Sequence, residues 1–208
     1  MTAKPNISVI MRSKNSDWVI GQALGALFSQ SFRDFELIVV DSGSKDRTLE
    51  IVRQYPCELI EIEAAAYFPG AVLNSAVQHA NSDLFVYLNS DGVLLSPDSL
   101  ARLVAAFDDP GVQAAFGRQL PRPDAHTWVR RDYTTSFPER GSAPPWMKMS
   151  LVFSAMRRCA WEEHPFYLDA WASEDSEWGT WAAANGRKIA YVADAICMHS
   201  HNYTLREI

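Results

Sequence analysis

An α/β fold, with a mainly parallel central sheet flanked by helices, is what this sequence predicts, and three observations predict it. Short β-branched runs alternate with amphipathic stretches through the first half of the chain, the pattern of repeated strand–helix–strand units. Three of these runs end abruptly in polar clusters, Arg12-Ser13-Lys14-Asn15, Asp41-Ser42-Gly43-Ser44-Lys45-Asp46 and Asn89-Ser90-Asp91-Gly92. Strands do this when their carboxyl ends line a ligand crevice. The 208 residues are 48% hydrophobic and 21% charged, enough for a sizeable core, which excludes disordered, collagenous and coiled-coil classes.

In chain order, residues 7–11 read as the first strand and 18–28 as a helix, 35–40 as the second strand and 47–55 as a helix. Residues 58–62, 84–88 and 113–116 read as further strands, with helices at 71–80 and 97–107 between them. Each helix carries apolar residues three and four apart, as helices packed on a sheet do. Ser96 before Pro97 predicts an N-cap followed by proline in the first turn. From Arg118 the pattern breaks, and the proline-bearing segment 122–145 predicts an irregular excursion with one short helix. Regularity returns with a strand at 151–156, a helix at 174–184 closed by Asn185-Gly186, and a strand at 189–192. The expectation is one domain over 1–208, with halves 1–117 and 118–208.

The net charge of −6 and pI near 5.3 offer no basic field for a polyphosphate track, which removes nucleic acid as a partner. Cys57, Cys159 and Cys197 are odd in number and lack any Cys-x-x-Cys, so neither a disulfide framework nor a cysteine zinc site is indicated. The first residues hold no signal-like apolar stretch, and no run long enough for a transmembrane segment occurs. The chain reads as cytoplasmic, with attachment at the inner face of a membrane left open. No Gly-x-x-x-x-Gly-Lys and no Gly-x-Gly-x-x-Gly follows a strand, so P-loop NTPases and dinucleotide dehydrogenases lose their support.

Four segments carry candidate chemistry. The turn around Asp41 suits hydrogen bonding to a base or ribose, and suits equally an N-cap and tight turn. Asn89 and Asp91, two apart at a strand end, share a face and can approach one hard divalent cation, or form a plain polar turn. Glu174, Asp175 and Glu177 crowd a helix start, where the helix dipole favours acids and where one of them can act as general base. His199-Ser200-His201 follows the last strand, as a metal pair or a chance surface pair. Six of the seven tryptophans lie after residue 127, and indole rings both stack on sugars and fill cores.

Taken in order, these segments resemble the inverting glycosyltransferases of family 2, which have the GT-A fold with a Rossmann-like sheet and a small acceptor-side subregion. Residues 7–15 are similar to the family's opening strand, and 35–48 to its nucleotide-binding strand and turn. Asn89-Ser90-Asp91 falls at its metal motif, Glu174-Asp175 at the acidic pair that holds its catalytic base, and His199 at a late metal or diphosphate ligand. Phe68-Pro69-Gly70-Ala71-Val72-Leu73-Asn74, Gly117-Arg118-Gln119-Leu120-Pro121 and 199–204 look like the rhamnosyltransferase branch of bacterial surface polysaccharide synthesis. Three positions depart from the pattern: Asn89 replaces a first Asp, Ser42 stands where a second Asp is common, and Leu73 stands where a basic residue commonly precedes Asn74.

The resemblance implies transfer of a sugar from a dTDP-, UDP- or GDP-linked nucleotide-diphospho-sugar to a hydroxyl on a glycan or glycolipid acceptor. It assigns donor binding, in the half 1–117, to Arg12, Ser13, Asn15, Asp41, Ser42, Asn74, Asn89, Ser90 and Asp91. A divalent metal, Mg²⁺ or Mn²⁺, falls to Asp91, Asn89 and His199. In the half 118–208 it places the base at Asp175, with Glu174 next, and acceptor contacts at Trp146, Trp171 and Trp178. Two rivals remain on the sequence: a sugar-phosphate nucleotidyltransferase, disfavoured by the absence of glycine in 12–15, and a non-catalytic nucleotide-sugar-binding module.

Overall fold

A computed structural model of the chain describes residues 6–168 and 173–202. Its elements run β1 (Ile7–Ser13), α1 (Ile20–Phe28), β2 (Phe35–Asp41), α2 (Thr48–Val52), β3 (Glu58–Glu61), α3 (Pro69–His79), β4 (Leu84–Leu88) and β5 (Val93–Leu94). They continue with α4 (Ser99–Ala105), β6 (Val112–Leu120), α5 (Thr127–Ser136), β7 (Phe153–Arg157), α6 (Arg158–Glu163), α7 (Glu174–Ala184) and β8 (Lys188–Met198). The strands form one sheet in the order β3-β2-β1-β4-β7-β6-β8-β5. Pairing is parallel across β3-β2-β1-β4 and between β6 and β8, and antiparallel where β7 enters and where β5 closes the edge.

β1 shows why the sheet has two covered faces. Ile7, Val9 and Met11 join the hydrophobic cluster on one face, while Ile10 joins the cluster on the other, as the two-residue period of a strand requires. A central parallel strand must be apolar on both sides. Helix α1 buries Ile20, Ala23, Leu24 and Leu27, a single stripe at helical spacing. The expected division at 117 falls inside β6, and the second half contributes β7 between β4 and β6, so both halves share one sheet.

Several boundaries differ from expectation for local reasons. α4 starts at Ser99 with Asp98 at the cap position and no side-chain cap. The Ser96 hydroxyl instead accepts from Asp98 N at 3.3 Å inside the preceding turn. β8 is far longer than residues 189–192 because β8 bulges between Val192 and Ile196, opposite the consecutive Gly117 and Arg118 of β6, and pairing resumes at Ile196. Glycine is required there: a Cβ on Gly117 would meet the Ala195 carbonyl at 2.5 Å. Bulges of this kind re-aim the residues beyond them, here the Ile196–Met198 end of β8 that leads to His199. The helix at 174–184 has its predicted bounds and is followed by Gly186 at φ 65°, the left-handed stop that favours glycine.

Candidate active site

Because β7 runs antiparallel to both β4 and β6, β6 and β8 point the same way as β1, β2 and β4. All five carboxyl ends therefore reach one edge of the sheet, where open α/β sheets bind ligands. A cleft of about 540 Å³ lies there, lined by Arg12, Ser13, Asn15, Ser42, Asn89, Ser90 and Asp91 together with Lys14, Trp18, Tyr67 and His201. A second hollow of about 210 Å³ is lined by Arg12, Tyr67, Asn89, Leu151, Glu174 and Asp175, among others. Arg12, Tyr67 and Asn89 line both, so the two hollows adjoin at these residues.

At one end of the large cleft, ligand atoms of Asp91, His199 and His201 lie within 4.8 Å of one another. Asp91 Oδ2 is 3.5 Å from His199 Nε2 and 3.3 Å from His201 Nε2. Gln119 donates through Nε2 to Ser150 Oγ at 2.7 Å, which turns its Oε1 toward His199 Nδ1 at 3.1 Å. Tyr133 Oη meets the same Nδ1 at 3.1 Å, so two partners fix the ring and leave Nε2 facing Asp91. Burial holds His199 neutral, pushing it down to about 4 against the pull of the Asp91 charge. A neutral imidazole oriented through its far nitrogen is the form that ligates a metal. One carboxylate and two imidazoles thus fit a divalent cation. Asn89, expected among the ligands, directs Oδ1 toward Arg12 Nη2 at 3.5 Å, where the two hollows adjoin. His201, which the resemblance did not single out, takes part because residues two apart leaving a strand share a face.

Ser13 and Ser42 put their hydroxyls at the cleft floor, and both are buried without a hydrogen-bond partner among the described residues. Ser90 Oγ pairs with Ser16 Oγ at 2.8 Å. Asp41 is fully buried, and its carboxylate accepts from Ser44 N at 2.7 Å and Ser44 Oγ at 2.6 Å. It shapes the turn that carries Ser42. Asn15, at φ 48°, clamps the same turn by accepting from Lys45 N at 2.9 Å.

In the smaller hollow, Glu174 is buried and ion-paired with Arg12, so its carboxylate is committed. Asp175 accepts from Leu151 N at 3.3 Å and Ser176 N at 2.8 Å. Burial, and secondarily the neighbouring Glu174 charge, hold its carboxyl above the ordinary carboxylate value. A carboxylate raised in this way is the stronger base.

Three expected contacts are corrected, the first being Asp41: fully buried and bonded to Ser44, it is not among the residues lining the cleft, so it acts on the turn and not on the donor. Trp178 is completely buried, with Nε1 donating to the His164 carbonyl at 2.9 Å, so it is core and no acceptor platform. Asn74 braces the chain: its Oδ1 accepts from Trp161 Nε1 and Phe166 N at 2.8 and 3.0 Å, while Nδ2 donates to Phe166 O at 2.8 Å. Trp146 is 66% exposed and lies in the loop before β7. Trp171 lies outside the described residues. The sequence singled out neither Trp18, which lines the cleft, nor Arg122, which packs against the Trp18 ring and the Asp91 carbonyl behind that lining; no local motif marks either.

Comparison with known proteins agrees with this geometry. The family model for glycosyl transferase family 2 matches residues 8–171. The O-antigen chain rhamnosyltransferase RfbN of Salmonella typhimurium is 31% identical over 97% of this chain and 68% of its own length. WbaN, the O-antigen chain rhamnosyltransferase of Salmonella anatum, is 31% identical over 88% of this chain and 62% of that protein. Among solved structures, the mannosyltransferase PcManGT of Pyrobaculum calidifontis with GDP-Man and Mn²⁺ superposes with a TM-score of 0.74 at 25% identity, over 95% of this chain and 57% of that one. Staphylococcus aureus TarS with UDP gives 0.77 at 21% identity, over 94% and 60%, and shares the fold. With an open sheet whose polar strand ends meet at one edge and a profile match spanning most of its length, the chain belongs to glycosyl transferase family 2.

Proposed function

We propose that the chain transfers a sugar from a nucleotide-diphospho-sugar to a hydroxyl acceptor, with inversion at the anomeric carbon. The observation that carries this is the shared lining of Arg12, Tyr67 and Asn89. The two hollows adjoin at these residues, with the group suited to a diphosphate in one and Asp175 in the other, so a donor and an acceptor bound in them would meet there.

The acceptor oxygen attacks the anomeric carbon as the bond to the diphosphate breaks, and the nucleoside diphosphate leaves with the electron pair. Asp175 takes the hydroxyl proton. Arg12 holds Glu174 so that Asp175 alone faces the acceptor. Ser13 and Ser42 bind the nucleoside through their unpartnered hydroxyls, with Asp41 and Asn15 shaping the turn beneath, while Ser90 and Asn89 line the path to the diphosphate. Asp91, His199 and His201 would hold a divalent cation, Mn²⁺ or Mg²⁺, which when bound neutralises charge on the diphosphate. The Mn²⁺ in the mannosyltransferase complex supports that cofactor.

The two rhamnosyltransferase relatives support rhamnose as the sugar and a bacterial surface glycan or glycolipid as the acceptor, with Trp146 offering a stacking face. A cytoplasmic location, with attachment at the inner face of the membrane, belongs to the same proposal. No described helix is long and apolar enough to cross a membrane.

The test compares two variants on dTDP-, UDP- and GDP-linked sugars. Asp175→Asn is expected to lower turnover about 10²–10⁴-fold with donor affinity near wild type, whereas Asp91→Ala loses both. Donor affinity falling as steeply as turnover in Asp175→Asn removes that residue from the role of base.

A further inference from the structure

We propose that Arg122 is a further binding residue for the diphosphate of the donor and that Trp18 positions it. The identity of the ligand rests on the glycosyl-transfer reading above; the choice of residue rests on separate geometry. The Arg122 guanidinium carbon lies 4.7 Å from the centroid of the Trp18 ring, and its Nη2 donates to the backbone carbonyl of Asp91. Both flanking residues line the large cleft. Nε is buried without a hydrogen-bond partner, a state that costs free energy unless a ligand relieves it.

The arginine is also held from behind. Its backbone N donates to Ser200 Oγ at 3.0 Å, which ties it to the segment between His199 and His201. Pro121 and Pro123 flank it and restrict the backbone on both sides. An indole face, a carbonyl and a fixed main chain together preorganise a planar cation suited to phosphate oxygens.

Charge balance gives the cation its purpose. With Asn89 in place of a carboxylate, Asp91 is the sole anion in its group with His199 and His201. A doubly charged metal ion there retains one net positive charge, while each phosphate of a sugar diphosphate carries one negative charge. Arg122 supplies the balance. Of the cations that line the cleft, Arg12 is committed to Glu174 and Lys14 is exposed, whereas Arg122 is held against two lining residues, Trp18 and Asp91.

The test is calorimetric titration of the chain with Mn²⁺ alone, with inorganic pyrophosphate, and with UDP, dTDP and GDP in the presence of Mn²⁺. Arg122→Met is expected to weaken the diphosphates about ten- to hundredfold while leaving Mn²⁺ binding unchanged; Arg122→Lys recovers part of the loss. Trp18→Ala, at an exposed position, is expected to weaken them severalfold without a change in Tm, and Trp18→Phe, which keeps an aromatic face, restores them. Unchanged diphosphate affinity in Arg122→Met overturns the assignment, and so does loss of Mn²⁺ together with diphosphate, because the arginine then merely props Asp91. If Arg122→Met does not fold, Arg122→Lys and Trp18→Ala decide: wild-type affinity in both overturns it. Should the wild-type chain bind pyrophosphate through Arg122 but no nucleoside diphosphate, Arg122 keeps its role and the glycosyl-transfer reading falls. Binding of neither ends both.

Discussion

Arg12 does two jobs through one guanidinium: it neutralises the buried Glu174 and it reaches Asn89 where cleft and hollow adjoin. Removing one partner of a buried pair leaves the other charge uncompensated, which typically costs about 3–5 kcal/mol. Arg12→Met is therefore expected to destabilise the chain by about that much in urea unfolding, and Arg12→Met with Glu174→Gln by clearly less than the sum. Additive effects would show that the pair is not coupled. Asp175 makes the opposite case. Its raised value means that the folded chain binds this proton more readily than the unfolded chain, so above the folded value the charge opposes folding. Asp175→Asn is thus expected to match or exceed wild type in Tm at neutral pH while losing turnover. Wild-type turnover should fall as pH drops through a point above the ordinary carboxylate range, because the base must be ionised. An acid limb at the ordinary carboxylate value or below contradicts this account of its environment.

At the scale of the element, α7 joins the proposed base to packing. Its first turn carries Glu174 and Asp175, while Trp178 one turn later is sealed in the core beside Phe166 and Ala182. Trp178→Ala is expected to cost about 3–5 kcal/mol, whereas Trp146→Ala, on an exposed loop, should leave Tm unchanged and change only acceptor dependence. Equal effects on stability would erase the distinction between the two tryptophans. The bounds of α7 were legible because acids at its start and Asn185-Gly186 at its end are local signals. The fate of its tryptophan was not, since an indole's place in core or cleft depends on what packs against it. Likewise, α6 has six residues and β5 has two, too few to show a period.

For the whole molecule, the decisive feature is the insertion of β7 between β4 and β6, which brings the ends of β6 and β8 to the edge already occupied by β1, β2 and β4. The site closes only when residues 91, 199 and 201 meet there. Mn²⁺ is accordingly expected to raise Tm in the wild type but not in Asp91→Ala, by an amount that grows with metal concentration as ligand linkage requires. An Asp91→Ala chain that responds as wild type does would move the metal elsewhere. The sequence by itself determined most strands and helices of the first half and its polar strand ends, because period and turn chemistry are local, while Asp91, Asp175 and His199 were singled out by the resemblance to the family. Only the tertiary structure decided that Glu174 pairs with Arg12, that Asn74 and Trp178 are internal, that His201 meets Asp91, and that Trp18 lines the cleft with Arg122 packed against it. These outcomes depend on strand order and on which faces meet, quantities that no short window of residues contains.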